Sequence, residues 1–379
     1  MFDQNGVTRR SFVGGMATAV AGGYVNFRSP SRLWPPTSRG SEEDPYDLVA
    51  KLHYNENPYG PSDAVLKAMT KAFKYANRYG YPDADIVQKI ARYHGVEANQ
   101  VVLGAGSGEI LDVAGSAFAS NGKKVLGVEP SYGYVYSHVS SVMGAAITLP
   151  LTSDYRQDIP ALIRAAKMHY REIGFVYICN PNNPTGRIVT KDEIRHLLDE
   201  LPQDMPVLID EAYHHFVEDP SYATSIPYVT EGRPVIVTRT FSKIAALAGM
   251  RLGYAISQPQ LIDRMTPYIS DSINAVVKWG GATALEDTST QEHVKKVTLE
   301  LRKQTTSELS AMGYSVVPSE TNFFMVDLKR RVEPVIAAFE KKGVLVGRPF
   351  PPMLEHLRVS IGTPDEMKRF IVAFKEIMT

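Results

Sequence analysis

The segment Val101-Val102-Leu103-Gly104-Ala105-Gly106-Ser107-Gly108 reads as a short β-branched strand running into a glycine turn, and a helical pattern from Glu109 to Ala119 follows it. Strand, glycine loop and helix in that order make a phosphate-binding arrangement, because the free amides at a helix start point at an anion. Glycine turns before helices are common, so this unit alone does not name a ligand. Further short apolar runs lie downstream at Lys124 to Val128, Gly174 to Cys179, Val207 to Ile209, Pro234 to Thr238 and Leu252 to Ile256. Helical stretches such as Asp192 to Leu201 separate some of them. Apolar strands alternating with helices predict an α/β fold with a mostly parallel central sheet flanked by helices on both faces. Ligands of such sheets bind beyond the carboxyl ends of the strands. Ser107, Gly108, Tyr132, Asn183, Asp210 and Lys243 all follow those ends, which points to one site.

Upstream, Ser62 to Phe73 and Asp85 to Tyr93 read as helices, the first with Ser62 as N-cap. From about Met265 the texture changes. Gln291 to Met312 is one long helical pattern, Thr321 to Leu328, Gly343 to Val346 and Leu357 to Ile361 read as strands, and Asp365 to Ile377 closes the chain as a helix. The expected division is a large domain over residues 76–264 and a smaller α+β domain built from residues 46–75 and 265–379.

A chain of 379 residues is too long for one small core. Its 44% hydrophobic and 22% charged content is that of an ordinary globular enzyme. Lys+Arg and Asp+Glu are both 41, a balance that argues against a general nucleic-acid binder. No apolar run approaches the length of a membrane span. Cys179 is the only cysteine, so an intramolecular disulfide and a cysteine zinc site are both excluded. Cys179 itself reads as a small buried strand residue.

The N-terminus stands apart. Thr8-Arg9-Arg10-Ser11-Phe12-Val13 resembles a twin-arginine export signal, and the weakly apolar stretch Val13 to Val25 contains small-residue cleavage sites such as Ala17-Thr18-Ala19. Residues 1–45 therefore read as a signal followed by a Pro- and Ser-containing linker, which implies a periplasmic protein; the alternative is a cytoplasmic protein with a basic tail.

Five further motifs carry the chemistry. Asn55-Glu56-Asn57-Pro58-Tyr59-Gly60 opens the folded part, and Asn180-Pro181-Asn182-Asn183-Pro184-Thr185-Gly186 and Asp210-Glu211-Ala212-Tyr213 lie in the middle. Thr240-Phe241-Ser242-Lys243 is followed eight residues after the lysine by Arg251, and His356-Leu357-Arg358-Val359-Ser360-Ile361-Gly362 comes near the end. With these motifs the chain resembles the fold-type I pyridoxal phosphate-dependent aminotransferases (class I/II), nearest to the histidinol-phosphate aminotransferase branch, over essentially all of Tyr46 to Thr379.

The resemblance implies a role for each residue. Lys243 would form a Schiff base with pyridoxal 5'-phosphate and then shuttle a proton; a lysine outside such a setting is a solvated surface residue. Asp210 would keep the pyridine nitrogen protonated, so that the ring acts as an electron sink. An acid after a Val-Leu-Ile strand otherwise serves as a helix cap or ion pair. Tyr213 and Asn183 would bond the cofactor phenolic oxygen, and Tyr132 would stack on the ring or else be a core tyrosine. Ser107, the Gly108 amide, Ser242 and the fork of Arg251 would hold the phosphate, with Thr240 a lesser contributor. A tyrosine of a neighbouring subunit would also reach it: in Asn77-Arg78-Tyr79-Gly80-Tyr81-Pro82-Asp83 the distance to the next helix selects Tyr79, whereas a Tyr-Pro pairing selects Tyr81. Either choice implies a homodimer with shared sites. Arg358 would bind the substrate carboxylate. Arg348 would take a second anionic group or form a salt bridge, and Tyr54 and Asn55 would border the pocket.

The implied activity is transfer of an amino group from an amino acid or amine, of histidinol phosphate or aromatic type, to a 2-oxo acid such as 2-oxoglutarate. A pyridoxal phosphate-dependent decarboxylase of a phosphorylated amino acid is the alternative, because the choice depends on which bond stands perpendicular to the ring. A cofactor-free binding protein on the same fold would be expected to lack Lys243 or Asp210, and both are present.

Overall fold

The computed structural model describes Tyr46, residues 48–271 and residues 273–379. The export-signal reading of residues 1–45 lies outside the described residues. In chain order the strands are β1 (Ala50–Leu52), β2 (Val101–Gly104), β3 (Lys124–Glu129), β4 (Ala145–Pro150), β5 (Ile173–Cys179) and β6 (Val207–Asp210). They continue as β7 (Val235–Thr240), β8 (Gly253–Ile256), β9 (Ser315–Val317), β10 (Phe323–Asp327), β11 (Val344–Val346) and β12 (His356–Ser360).

Seven strands form the main sheet in the order β2-β8-β7-β6-β5-β3-β4. Neighbours from β4 to β7 are parallel, and β8 runs antiparallel to both β7 and β2. β2 therefore points the same way as β7, and the carboxyl ends of β2, β3, β5, β6 and β7 share one edge. Every residue of β6 and β7 is buried, as a sheet covered on both faces requires, which is why these strands read as continuous apolar runs. Each Val, Leu or Ile so buried contributes about 1.5–3 kcal/mol before entropy is counted.

A second core forms from Ala50, Leu52, Phe324, Phe339, Phe370 and Phe374 with their neighbours. It lies over the antiparallel sheet β12-β10-β9 and the parallel pair β1-β11. β1 thus joins the start of the described chain to its C-terminal part, Ala50 facing Val344.

Local signals set the helix starts. Ser62 accepts from the Val65 amide ahead of the helix Asp63–Ala72. Thr190 with Glu193 and Thr363 with Glu366 form reciprocal capping boxes. Several boundaries differ from the sequence reading by one to three residues: the glycine-loop helix begins at Ser107, not Glu109, β7 runs on to Thr240, and the long C-terminal-half helix begins at Thr288, not Gln291. The helix Ala275–Glu286 was not legible in the sequence. It packs against Asp63–Ala72 and the main core, burying Ala275, Val277, Gly281, Ala282 and Leu285, so no single apolar stripe marks it.

Candidate active site

Five strand ends meet at one edge and each delivers a residue singled out from the sequence. β2 leads to Ser107, β3 to Tyr132, β5 to Asn183, β6 ends on Asp210, and β7 leads to Lys243.

The candidate phosphate cradle consists of the start of the helix Ser107–Ala119 and Arg251. The N-cap position is Gly106, at φ 83, and it has no side chain with which to cap the first amides. Arg251 lies across this helix start, donating from Nη2 to the Ala105 carbonyl at 3.2 Å, and from Nη1 to Ser242 Oγ at 3.3 Å and the Ala248 carbonyl at 3.0 Å. A Cβ at Gly106 would stand 2.0 Å from Arg251 Nη2, so the guanidinium occupies the space that the missing side chain leaves. Gly253 has a comparable role, since a Cβ there would meet the Ser107 amide nitrogen at 2.4 Å. Thr240 Oγ1 donates to Ser242 Oγ at 2.8 Å and accepts from the Ser242 amide at 3.0 Å, which fixes the serine toward Arg251.

Lys243 Nζ donates to the Tyr54 carbonyl at 3.0 Å and lies 5.6 Å from the centre of the Tyr213 ring. Burial brings its amine down to about 8, aided by the Arg358 and Arg251 guanidinia and opposed by Glu56 and Asp210. A half-buried amine with this value is partly neutral near pH 8 and nucleophilic. Asp210 is buried, bonded by the Ala212 amide at 3.2 Å and by the Tyr177 hydroxyl at 3.5 Å. Burial pushes its carboxyl up to about 7 against the pull of those donors and of Lys243.

Tyr213 accepts from Asn55 Nδ2 at 3.0 Å and from Asn183 Nδ2 at 3.5 Å, with its ring edge-on to Phe323. Asn183 in turn accepts from Arg358 Nη1 at 2.6 Å. Arg358 is buried, its Nη2 donates to the His53 carbonyl at 2.5 Å, and its Nε has no partner among the described residues. Burial brings the guanidinium down to about 10. A buried guanidinium with a spare donor and no carboxylate bonded to it is a receptor for an anion.

Arg348 donates to the Pro349 carbonyl at 2.9 Å, and its guanidinium lies 4.4 Å from the Phe350 ring centre; Arg358 lies 4.7 Å from the same ring. The two arginines thus flank one phenyl group. Tyr132 is partly exposed and stacks at 6.0 Å on Tyr134, and burial pushes its hydroxyl up to about 12. The two candidate tyrosines separate clearly: Tyr81 donates to the Ile273 carbonyl and lies under Lys278, whereas Tyr79 is fully exposed.

Several positioning side chains escaped the sequence reading. Ser360 bonds both the Asn55 amide and its side chain, at 2.9 and 2.8 Å, and Asn322 Nδ2 donates to the Asn55 carbonyl at 3.0 Å. Together they hold Asn55, whose φ of 55 is unusual for a residue with a side chain. Ser360 lay within a recognised motif, yet nothing local in the sequence links it to Asn55, 305 residues away.

The residue set fits pyridoxal phosphate. Uncapped helix amides, a hydroxyl and an arginine suit a phosphate. A lysine with a lowered value suits an aldehyde, and a buried acid with a raised value suits a ring nitrogen.

Comparison with known proteins agrees with this chemistry. The family model for aminotransferases of class I and II matches residues 48–374. The chain is 33% identical over 336 residues to the histidinol-phosphate aminotransferase of Symbiobacterium thermophilum, covering 87% of this chain and 90% of that protein. It is 34% identical over 364 residues to the enzyme of the same name from Caldicellulosiruptor saccharolyticus, covering 92% and 98%. Its fold superposes with TM-score 0.80 on the histidinol-phosphate aminotransferase of Sinorhizobium meliloti, solved in complex with pyridoxal-5'-phosphate, at 24% identity over 94% of this chain and 98% of that one.

Proposed function

The chain belongs to the family of class I and II aminotransferases and is a pyridoxal phosphate-dependent transaminase, and we propose that it takes its amino group from histidinol phosphate or an aromatic-type amine and passes it to a 2-oxo acid such as 2-oxoglutarate. The observation that carries this reading is the pair Arg358 and Arg348 about the Phe350 ring. Two guanidinia side by side suit substrates with two anionic groups, or one doubly charged phosphate.

When bound, pyridoxal phosphate supplies a protonated ring that withdraws electrons from the bond being broken at the substrate Cα. The residues of this chain do the rest. Ser107, the Gly108 amide, Ser242 and Arg251 hold the phosphate. Asp210, raised to about 7 in its buried site, holds the proton on the ring nitrogen. Asn183 and Tyr213 would hold the phenolic oxygen, and Tyr132 would cover the ring. Lys243 Nζ, lowered to about 8, would take the proton from the substrate Cα, hold it as the ammonium, and release it to the cofactor carbon that had carried the aldehyde. Arg358 orients the substrate by its carboxylate, and Asn55 shapes the pocket wall.

A homodimer with shared sites is part of the proposal. Tyr79 is fully exposed while Tyr81 is committed to its own chain, so Tyr79 is the one able to reach a neighbour's phosphate. Mixing inactive Lys243→Ala protein with Tyr79→Phe protein should give hybrid dimers with one intact site; no recovery of activity above that of the Tyr79→Phe protein alone counts against sharing. For residues 1–45 we propose export through Arg9 and Arg10. A reporter fused to this segment should leave the cytoplasm, and export indifferent to replacing both arginines by lysine removes the idea.

The deciding experiment is a half-reaction screen. Cofactor-loaded protein is mixed separately with histidinol phosphate, aromatic amino acids, glutamate and threonine phosphate while its absorbance is followed. Rapid conversion with histidinol phosphate supports the proposed donor, and conversion only with other amines overturns it. Carbon dioxide release without amino transfer would revive the decarboxylase reading, which is less supported because the relatives at 33% and 34% identity are histidinol-phosphate aminotransferases.

A further inference from the structure

Four side chains, joined by two hydrogen bonds and one close histidine–carboxylate contact, lie behind the start of the helix Ser107–Ala119. Tyr134, at the first position of the helix Tyr134–Ser141, donates its hydroxyl to Asp112 Oδ2 at 3.2 Å. Asp112 Oδ1 faces His138 Nδ1 at 3.1 Å, and His138 Nε2 pairs with Ser116 Oγ at 2.9 Å. Asp112 and Ser116 lie one turn apart on Ser107–Ala119, and Tyr134 and His138 lie one turn apart on the neighbouring helix. The helices pack closely here because Gly115 lacks a side chain: a Cβ there would stand 2.9 Å from His138 Cδ2.

Ser116, His138 and Asp112 are spaced like a nucleophile, its base and an orienting acid. Ser116 sits inside a helix, however, where the backbone amides are spent on helical hydrogen bonds and none is left to stabilise an oxyanion. The network instead leads toward the phosphate cradle. A Cβ placed on Gly108 would lie 3.6 Å from Tyr134 Cε1 and 3.9 Å from Arg251 Nη2. The open face of Gly108 is therefore bordered by an aromatic ring and a guanidinium.

We propose that Tyr134, together with Arg251, walls the phosphate cradle at Gly108, and that Asp112, with His138 and Ser116 beside it, is the positioning residue that aims it. The inference rests on the reading that Ser107, Gly108, Ser242 and Arg251 hold the cofactor phosphate. Tyr134 turns its hydroxyl toward Asp112 and presents its ring to the cradle. A ring in that place excludes water, and hydrogen bonds to the phosphate strengthen as water is withdrawn. Its stacking on Tyr132 at 6.0 Å continues the same wall toward the cofactor ring.

The test measures binding of pyridoxal phosphate, and separately of pyridoxal without the phosphate, to the cofactor-free protein. Tyr134→Ala should weaken pyridoxal phosphate about tenfold and leave pyridoxal unchanged. Tyr134→Phe and Asp112→Asn should each weaken it about threefold, again only for the phosphorylated ligand. Faster dissociation with an unchanged thermal midpoint separates this from general loosening of the fold. Equal binding of pyridoxal phosphate by wild type and Tyr134→Ala overturns the proposal, as does an equal loss for both ligands. Arg251→Lys is the control: if it too leaves phosphate selectivity untouched, the underlying cradle is misplaced, whereas loss with Arg251→Lys alone refutes only the wall. Tyr134 is partly exposed, so its variants report even where Asp112→Asn fails to fold.

Discussion

Arg358 Nη1 donates to Asn183 Oδ1 at 2.6 Å, joining β12 to the Asn-Pro loop after β5 across 175 residues of chain. Because Asn183 also contacts Tyr213, the group proposed to bind substrate carboxylate is held by a residue proposed to face the cofactor. One substitution in this pair should therefore affect substrate binding and orientation together.

Arg358→Lys is expected to lower kcat/KM by about a hundredfold, mostly through KM, because an ammonium cannot reproduce a planar fork bonded to both Asn183 and the His53 carbonyl. Steady-state kinetics at saturating cofactor checks this. An unchanged KM would place the substrate carboxylate elsewhere.

Asp210 gives a pH-dependent stability with a definite sign. Its carboxyl is raised from 3.8 to about 7 by burial. Its contribution to the stability of the cofactor-free protein is thus full below pH about 4 and is lost as the pH rises through about 7. Asp210→Asn should make the cofactor-free protein more stable than wild type at pH 8 and leave little difference at pH 4, while removing most turnover. Urea unfolding at the two pH values reads the effect, and a constant difference would contradict it.

Lys243 should be the most acidic of the reactive lysines, its amine lowered from 10.5 to about 8. An amine-directed acylating reagent, with products mapped by mass spectrometry, should modify it half-maximally near pH 8 in the cofactor-free protein. Neutral amine, the reactive form, accumulates as the pH rises through that value. Modification that tracks the bulk of the lysines would show an ordinary amine. Lys243→Ala should abolish transamination.

Gly106→Ala should displace Arg251, because the new Cβ would lie 2.0 Å from Nη2 and the backbone is at φ 83. Dissociation of pyridoxal phosphate is expected to rise at least about tenfold. Equilibrium dialysis against wild type is sufficient; equal affinity would mean that Arg251 does not need its present place.

Arg239 and Glu211 form a buried pair one residue from Thr240 and Asp210 respectively, with Nη2 to Oε2 at 2.8 Å and Nε to Oε2 at 3.2 Å. Glu211→Ala leaves a buried guanidinium without its counter-charge, and should destabilise the protein by about 3–5 kcal/mol. Denaturant unfolding measures it. A change within about 0.5 kcal/mol would show that water or Thr224 replaces the carboxylate.

The sequence by itself determined six of the seven strands of the main sheet, all but the edge strand β4, and picked out the residues at their ends. Buried parallel strands are mostly apolar, so β5, β6 and the first half of β7 were legible, and the residues following them fell at one edge by the geometry of a parallel sheet. It also indicated the cofactor, through the family resemblance that Asp210, Lys243 and Arg251 carry in that chain order. The tertiary structure decided what local pattern does not encode. It separated Tyr79 from Tyr81 by the latter's bond to Ile273, brought Arg348 and Arg358 to one ring, and set Ser360 and Asn322 around Asn55. It joined Asp112, Ser116, Tyr134 and His138 across two helices. Each of these contacts is made between segments whose sequences carry only their own periodicity. The partners meet because two separately folded surfaces pack, and that is settled by burial of the whole interface.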